Sequence, residues 1–239
     1  MRRAITISGV VVVTAVVASI GIRTLARSRT YQLFSRPIAH VTTADSVVAL
    51  TFDDGPTMAR VDSLIGILAS RDVHATFFLI GAELASASDA GKALVAAGHE
   101  LGNHTYSHDH MVFKTMRTYR EQISRTDSLL HIAGAHDPIL FRPPYGYKLI
   151  GLPFVLSRMG RKTVTWDIEP ESFPEVAKSA AGIVRHVVSR VRPGSIILLH
   201  PWYTSGAATR AAVPVLIDSL RARGYRITTV SDLLAHGTR

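Results

Sequence analysis

From about Ala44 to the C-terminus, short apolar runs alternate with stretches of helical periodicity, and that alternation limits the chain to one broad architecture. The runs Val47-Val48-Ala49-Leu50, His99-Glu100-Leu101, Ile139-Leu140-Phe141, Lys162-Thr163-Val164-Thr165 and Ser195-Ile196-Ile197-Leu198-Leu199 have strand length, and Tyr225 to Val230 reads as a last strand. Between them, Val61–Ser70, Lys114–Ile132, Lys148–Met159, Ala177–Arg190 and Ala208–Arg223 read as helices. Strands joined through helices run parallel, because each crossover returns the chain to the same edge of the sheet. An α/β domain follows, and about 195 residues suit seven strand-helix units rather than eight.

Polar residues gather at the C-terminal ends of these runs. The first leads into Thr51-Phe52-Asp53-Asp54-Gly55-Pro56, where Gly-Pro stops the strand and two carboxylates emerge side by side. Adjacent like charges repel unless a cation or a shared proton relieves them; a solvated turn would use the same residue types. The second leads into Gly102-Asn103-His104-Thr105-Tyr106-Ser107-His108, with two imidazoles four residues apart. On a helical turn those positions share a face, so both rings could hold one ion. His110 reads as a bystander. Two imidazoles and one carboxylate form the ligand set of a catalytic zinc site that leaves a position open for water. Later runs lead into Arg142-Pro143-Pro144-Tyr145-Gly146, Trp166-Asp167-Ile168-Glu169-Pro170 and His200-Pro201. Singly, Arg142 reads as a surface ion-pair partner, Trp166 as core and His200 as a capped loop residue. Jointly they fall where a barrel of alternating strands and helices builds its active site.

In this order the motifs resemble those of the NodB-homology polysaccharide deacetylases, carbohydrate esterase family four. Thr51–Pro56 matches the family's Thr-Phe-Asp-Asp-Gly-Pro, His104–His108 its His-Ser/Thr-x-x-His, Arg142–Gly146 its Arg-Pro-Pro-Tyr-Gly and Leu198–His200 its Leu-x-His. Ala75–Gly81 resembles the family's second strand, and the match spans residues 47 to about 232. The resemblance implies a distorted (β/α) barrel with its site at the C-terminal mouth. It implies a hydrolase that removes N-acetyl groups from N-acetylglucosamine-containing polysaccharide, peptidoglycan or chitin-like. One divalent ion would be held by Asp54, His104 and His108: zinc first, with cobalt, nickel or manganese tolerated by the donor set. Asp53 would be the base, with Arg142 holding it and keeping its pKa low, and His200 the acid. The oxyanion would lean on a backbone N–H near Tyr145, with Pro144 and Trp166 at the substrate. An O-acetyl esterase on a xylan-like polymer and an inactive, metal-dependent sugar-binding relative are the alternatives. Pure binding, however, needs neither Asp53 nor His200.

Two positions depart from the family pattern. In the fourth motif Glu169 stands at the first acid, and Ser172 and Phe173 replace an Asp-Trp pair. Pro201 follows the histidine where the family commonly has a polar residue. The expectation is that Glu169 hydrogen-bonds His200, with Asp167 as its rival, because positions two apart on an extended segment face the same side.

The formal charge is +9, but residues 1–36 hold six arginines and no acid, which leaves +3 for residues 37–239. That speaks against the basic stripe of a nucleic-acid-binding domain and points to a membrane surface. There is no cysteine, hence neither a disulfide framework nor a thiolate metal site. Ala4–Ile22 is uncharged and flanked by arginines on both sides; as a helix it would span about 28 Å, the thickness of the hydrocarbon layer. The expected organisation is a single-pass anchor and juxtamembrane segment over 1–36 and a catalytic domain over 37–239. A cleaved signal peptide is the alternative, though its apolar region is usually shorter and no small-x-small site follows this one. Arginines on the C-terminal flank oppose the usual placement of an exported domain. Action on an envelope polysaccharide, implied by the resemblance, places the catalytic domain outside the cytoplasm.

Overall fold

The computed structural model describes residues 2–238, with side chains described from Thr14 onward. A helix, α1 (Arg2–Ala26), is followed by an irregular segment and then by β1 (Val47–Asp53), the central strand of a parallel sheet. The expected membrane span, Ala4–Ile22, falls in large part on side chains outside the described ones. Among the described residues no helix is long and apolar enough to cross a membrane.

β1 pairs along one edge with β4 (Ile196–Leu199), from Ala49↔Ile196 to Phe52↔Leu199. Its other edge is divided between two strands. β2 (Thr76–Leu79) takes the upper half and β5 (Arg226–Thr228) the lower. β3 (Glu100–Asn103) extends the sheet beyond β2. Parallel bridges Asn103↔Phe141, Phe141↔Thr163 and Ile168↔Ile197 carry the wall round to β4 and close a distorted barrel.

Seven strands were expected; among the described residues five form. The Ile139–Phe141 and Lys162–Thr165 runs keep their places in the barrel wall but make single bridges instead of ladders. Prolines explain the first, since Pro138, Pro143 and Pro144 lack the N–H that a ladder requires at either end. The second run is shared: Thr163 and Thr165 bond the backbone of Ile38, which crosses the wall beside them.

The helices between strands are α2 (Met58–Ala69), α3 (Gly81–Ser86), α4 (Ser88–Ala96), α5 (Met116–Ile132), α6 (Gly151–Arg158), α7 (Pro174–Ala177), α8 (Ala180–Val188) and α9 (Ala207–Ala222), with α10 (Val230–Ala235) last. Both faces of the sheet are buried, and the strand period of two divides β1 cleanly. Val48, Leu50 and Phe52 face the helices in the large outer core, while Val47 and Ala49 face the barrel interior. Phe52 and Phe77 are fully buried with ring centroids 5.0 Å apart, each side chain contributing on the order of 2–3 kcal/mol of burial. Val230 and Leu233 of α10 join the inner cluster at the end opposite Asp53. The same alternation makes Thr51 and Asp53 point inward at the mouth, where a carboxylate needs a partner.

Candidate active site

That partner is Arg142, which follows the Phe141 bridge and is wholly buried. Its Nη1 donates to Asp53 Oδ1 at 2.6 Å and to Thr51 Oγ1 at 2.9 Å, its Nη2 donates to the Thr165 carbonyl at 3.0 Å, and its guanidinium lies 4.0 Å from the Phe78 ring centroid. Arg142 is thus an interior ion-pair partner, not a surface one. The expectation that it keeps the Asp53 pKa low needs correcting: burial raises that pKa more than Arg142 lowers it.

Asp54 lies one residue past β1 with φ 74, followed by Gly55 at φ 59. The left-handed pair turns the chain so that consecutive carboxylates face one cavity instead of opposite sides of a strand. Gly55 permits this for a second reason: a Cβ there would sit 2.5 Å from Cδ2 of the buried Trp202 ring.

His104 and His108 meet Asp54, but not on a helix. Residues 104–108 form a loop in which Thr105 (φ 67) and His108 (φ 56) are left-handed. Side chains hold that loop where a helix would use its own backbone. Asn103 Oδ1 accepts from Thr105 N at 2.8 Å, Thr105 Oγ1 accepts from His108 N at 3.2 Å, and Gln122 Oε1 of α5 accepts from Tyr106 N and Ser107 N, each at 2.9 Å. Asn103 is itself anchored by donating to Asp127 Oδ1 at 2.8 Å. The residue spacing found the right pair; the i,i+4 face was the wrong reason.

The His104 Nδ1–H donates to the Arg142 carbonyl at 2.8 Å, so Nε2 carries the lone pair. That Nε2 lies 3.2 Å from His108 Nε2 and 3.7 Å from Asp54 Oδ1, and His108 Nε2 lies 3.2 Å from Asp54 Oδ1. Asp54 Oδ1 is buried without a hydrogen-bond partner. Burial drives both imidazoles neutral, their pKa values falling to about 3, and raises Asp54 to about 6. Two neutral nitrogens and an orphaned carboxylate oxygen converging on one point fit a divalent cation, and the mixed set suits zinc without excluding its neighbours. The second Asp53 oxygen, Oδ2, faces the same cluster from 3.7 Å off His104 Nε2.

His200 follows β4, and its partner is neither of the acids expected. Its Nδ1–H donates to Glu171 Oε2 at 2.7 Å, its backbone N donates to Glu171 Oε1 at 3.2 Å, and Thr209 Oγ1 donates to that same Oε1. Burial opposes the imidazolium, yet the Glu171 hydrogen bond and charge, helped by Asp53 and Asp54, raise the His200 pKa to about 9. Glu169 instead folds back, its Oε2 accepting from Arg29 Nη2 at 2.9 Å, Trp166 Nε1 at 2.9 Å and Ser172 Oγ at 2.5 Å. Asp167 accepts from Ser195 Oγ at 2.9 Å and Ile196 N at 2.8 Å, tying the wall to β4. The reason is a 3-10 turn over Pro170–Ser172, which breaks the extended segment and turns Glu171 toward the end of β4. Pro170 was the signal, since a proline ends the alternation on which the choice between Glu169 and Asp167 rested.

Tyr145 has φ 56 and ψ 10 within the turn Pro144–Gly146, whose Pro144 is buried. Its exposed ring packs on His108 at 4.6 Å and on His110 at 4.4 Å between centroids. Trp166 is buried, as a core reading had it, with Arg29 5.0 Å and Arg142 5.6 Å from its ring centroid. Glu169, Glu171, Ser172, His200, Gly206 and Thr209 line an open cleft of about 380 Å³ beside the cluster. A pocket of about 420 Å³ around His99 and Glu100 opens at the N-terminal end of β3, away from these residues.

Fold and site together place a three-residue donor set fit for a divalent cation, a buried carboxylate and a charged imidazole at the C-terminal ends of a barrel's strands. The family model for polysaccharide deacetylase matches residues 40–164, and the chain belongs to that family, carbohydrate esterase family four. It is 32% identical over 188 residues to the peptidoglycan-N-acetylmuramic acid deacetylase PdaC of Bacillus subtilis, covering 78% of this chain but only 38% of that protein. To a peptidoglycan-N-acetylglucosamine deacetylase of Bacillus cereus it is 30% identical over 192 residues, 80% of this chain and 90% of the relative. Its fold superimposes on the Bc1960 peptidoglycan N-acetylglucosamine deacetylase with a TM-score of 0.78 and 28% identity, over 84% of this chain and 94% of the other.

Proposed function

We propose that the protein removes N-acetyl groups from an N-acetylglucosamine-containing polysaccharide, peptidoglycan before chitin-like polymers, with zinc as the first candidate ion. One observation carries the reading: Asp54, His104 and His108 converge beside an arginine-held carboxylate and within electrostatic reach of an imidazole kept charged by its own glutamate. The preference for peptidoglycan comes from the three relatives named above, all of which bear that substrate in their names.

An amide is a poor electrophile with a poor leaving group, so its hydrolysis needs a base, an oxyanion site and an acid. A divalent ion, when bound, would polarise the acetyl carbonyl and lower the pKa of water. Asp53 keeps Oδ1 in the Arg142 fork and turns Oδ2 to the cluster, where it accepts the proton of the attacking water. Burial, by raising the Asp53 pKa, makes it a better proton acceptor than an exposed aspartate. His200 enters charged at neutral pH and donates to the departing nitrogen. The Tyr145 N–H, in a backbone turned left-handed beside His108, is the proposed oxyanion donor.

Residues 1–36 are proposed as a membrane anchor and juxtamembrane segment, and 37–239 as a catalytic domain outside the cytoplasm. The uncharged run Ala4–Ile22 supports this. Acetate release from peptidoglycan, chitin oligomers and acetylated xylan, with zinc supplied, tests the chemistry. Release from xylan alone would make the protein an O-acetyl esterase, and release from none with sugar binding retained would make it a binding relative. Fractionation with membranes, against recovery of a mature protein cleaved shortly after Ile22, tests the anchor.

A further inference from the structure

The segment that leaves α1 is bound to the barrel mouth. Ala26 O accepts from Lys148 N at 2.8 Å, and the buried Lys148 ammonium donates to Ser28 O. Gln32 Nε2 donates to Thr163 Oγ1 at 3.1 Å, and Ile38 exchanges backbone hydrogen bonds with Thr163 and Thr165, each at 2.8 Å. Residues 26–38 are therefore a strap across the wall that carries Trp166.

Arg29 sits at the centre of that strap. Its side chain pairs with Glu169 Oε2 at 2.9 Å and lies 5.0 Å from the Trp166 ring, while its carbonyl accepts from Thr165 Oγ1 at 2.6 Å. Both neighbours touch Arg142: Thr165 gives it a carbonyl at 3.0 Å, and the Trp166 ring centroid lies 5.6 Å from its guanidinium carbon. Two routes of two contacts each thus run from Arg29 to the group that holds Asp53. Charge acts in the same direction. The Glu169 side chain is only 15% exposed, and its charge acts on Arg142 as well as on Arg29. Without Arg29, Glu169 keeps its hydrogen bonds from Trp166 and Ser172 but loses its cationic partner, and its uncompensated charge pulls on Arg142 against Asp53.

We propose that Arg29, on the strap leading out of α1, is a positioning residue of the active site: it occupies Glu169 and seats Trp166, leaving Arg142 to hold Asp53. The rate arm of its test rests on the deacetylase reading; the other two arms do not.

The full chain carries the substitutions. Arg29→Ala should lower kcat about tenfold with KM within about twofold, since it loosens the base without touching substrate. Adding Glu169→Gln should recover most of that loss by removing the competing charge, whereas a packing role would give two additive losses. Arg29→Lys, which keeps the charge but not the planar stack, should fall between the parent and Arg29→Ala. Independently of turnover, Arg29→Ala should shift tryptophan fluorescence, and the shift should vanish in a Trp166→Phe background. Trypsin should cut slowly after Arg27 and Arg29 in the parent, and faster in Lys148→Met, which loses the contact to Ser28. Parent-like kcat and fluorescence in Arg29→Ala, additive losses in the double variant, or cleavage of the parent strap at the rate of an unstructured peptide would each overturn the proposal. A parent that releases no acetate would overturn the deacetylase reading instead, with fluorescence and proteolysis still deciding the strap.

Discussion

Glu171→Gln should move the alkaline limb of the pH–rate profile toward lower pH. In the parent, His200 has its pKa raised to about 9 against an ordinary 6.5, despite burial, and the Glu171 carboxylate is the largest raising cause. Asp53 and Asp54 add to the rise, but a cation on the cluster offsets their charge, so Glu171 dominates in the loaded protein. With a pKa of about 9, about 90% of His200 is charged at pH 8. At an ordinary pKa of 6.5 that share falls to about 3%. With burial free to hold the variant's His200 at or below 6.5, kcat/KM should fall at least about thirtyfold at pH 8 and much less at pH 6. Stability carries the same signature with a definite sign. A histidine raised above its unfolded value stabilises the fold below pH 6.5, and that contribution is lost as pH rises through about 9. Glu171 has its pKa lowered, against burial, by the same contact, so its contribution is present above 4.5 and lost as pH falls through its folded value. Parent and variant melting temperatures should differ most between pH 4.5 and 6.5, and the gap should narrow as pH rises through about 9. Acetate release measured from pH 5 to 10 in parallel with Glu169→Gln and Asp167→Asn is the assay, and NMR titration of the His200 ring reads the pKa directly. An unmoved alkaline limb in Glu171→Gln, or an equal shift in Glu169→Gln, would refute the assignment.

His104→Ala should reduce bound divalent metal from one per chain to below half by elemental analysis, because the lone pair that Arg142 O orients toward Asp54 is gone. Arg142→Met should destabilise the protein by about 3–5 kcal/mol in denaturant unfolding near neutral pH, since it strands a buried carboxylate. With the Asp53 pKa already raised by burial, that loss should shrink as pH falls and Asp53 takes up a proton. Gly55→Ala should cost about 2–4 kcal/mol through left-handed strain and overlap with the Trp202 ring. Its thermal melt should fall accordingly, and a melt equal to the parent's would show that the Asp54 turn does not need the glycine.

Some of this was written locally in the chain. The alternation of apolar runs and helical stretches sets a parallel α/β wall because a strand leaving through a helix has only one edge to return to. The period of two along β1 places Val47, Ala49, Thr51 and Asp53 on one face, so that Asp53 points inward is a local fact. Gly55-Pro56 marks where the strand stops. Other features needed the folded chain. His104 and His108 meet through a loop whose shape depends on Asn103 and on Gln122, the latter more than a dozen residues away, so no helical spacing could describe it. The Asp53 pKa depends on the balance of burial against Arg142, which lies 89 positions further on. Glu171, not Glu169, holds His200 because one turn at Pro170 decides which acid faces β4, and Glu169 is taken by Arg29 from 140 positions away. Periodicity reports which side of its own element a residue faces; which charge stands opposite it is set by a distant part of the chain, and only tertiary packing brings the two together.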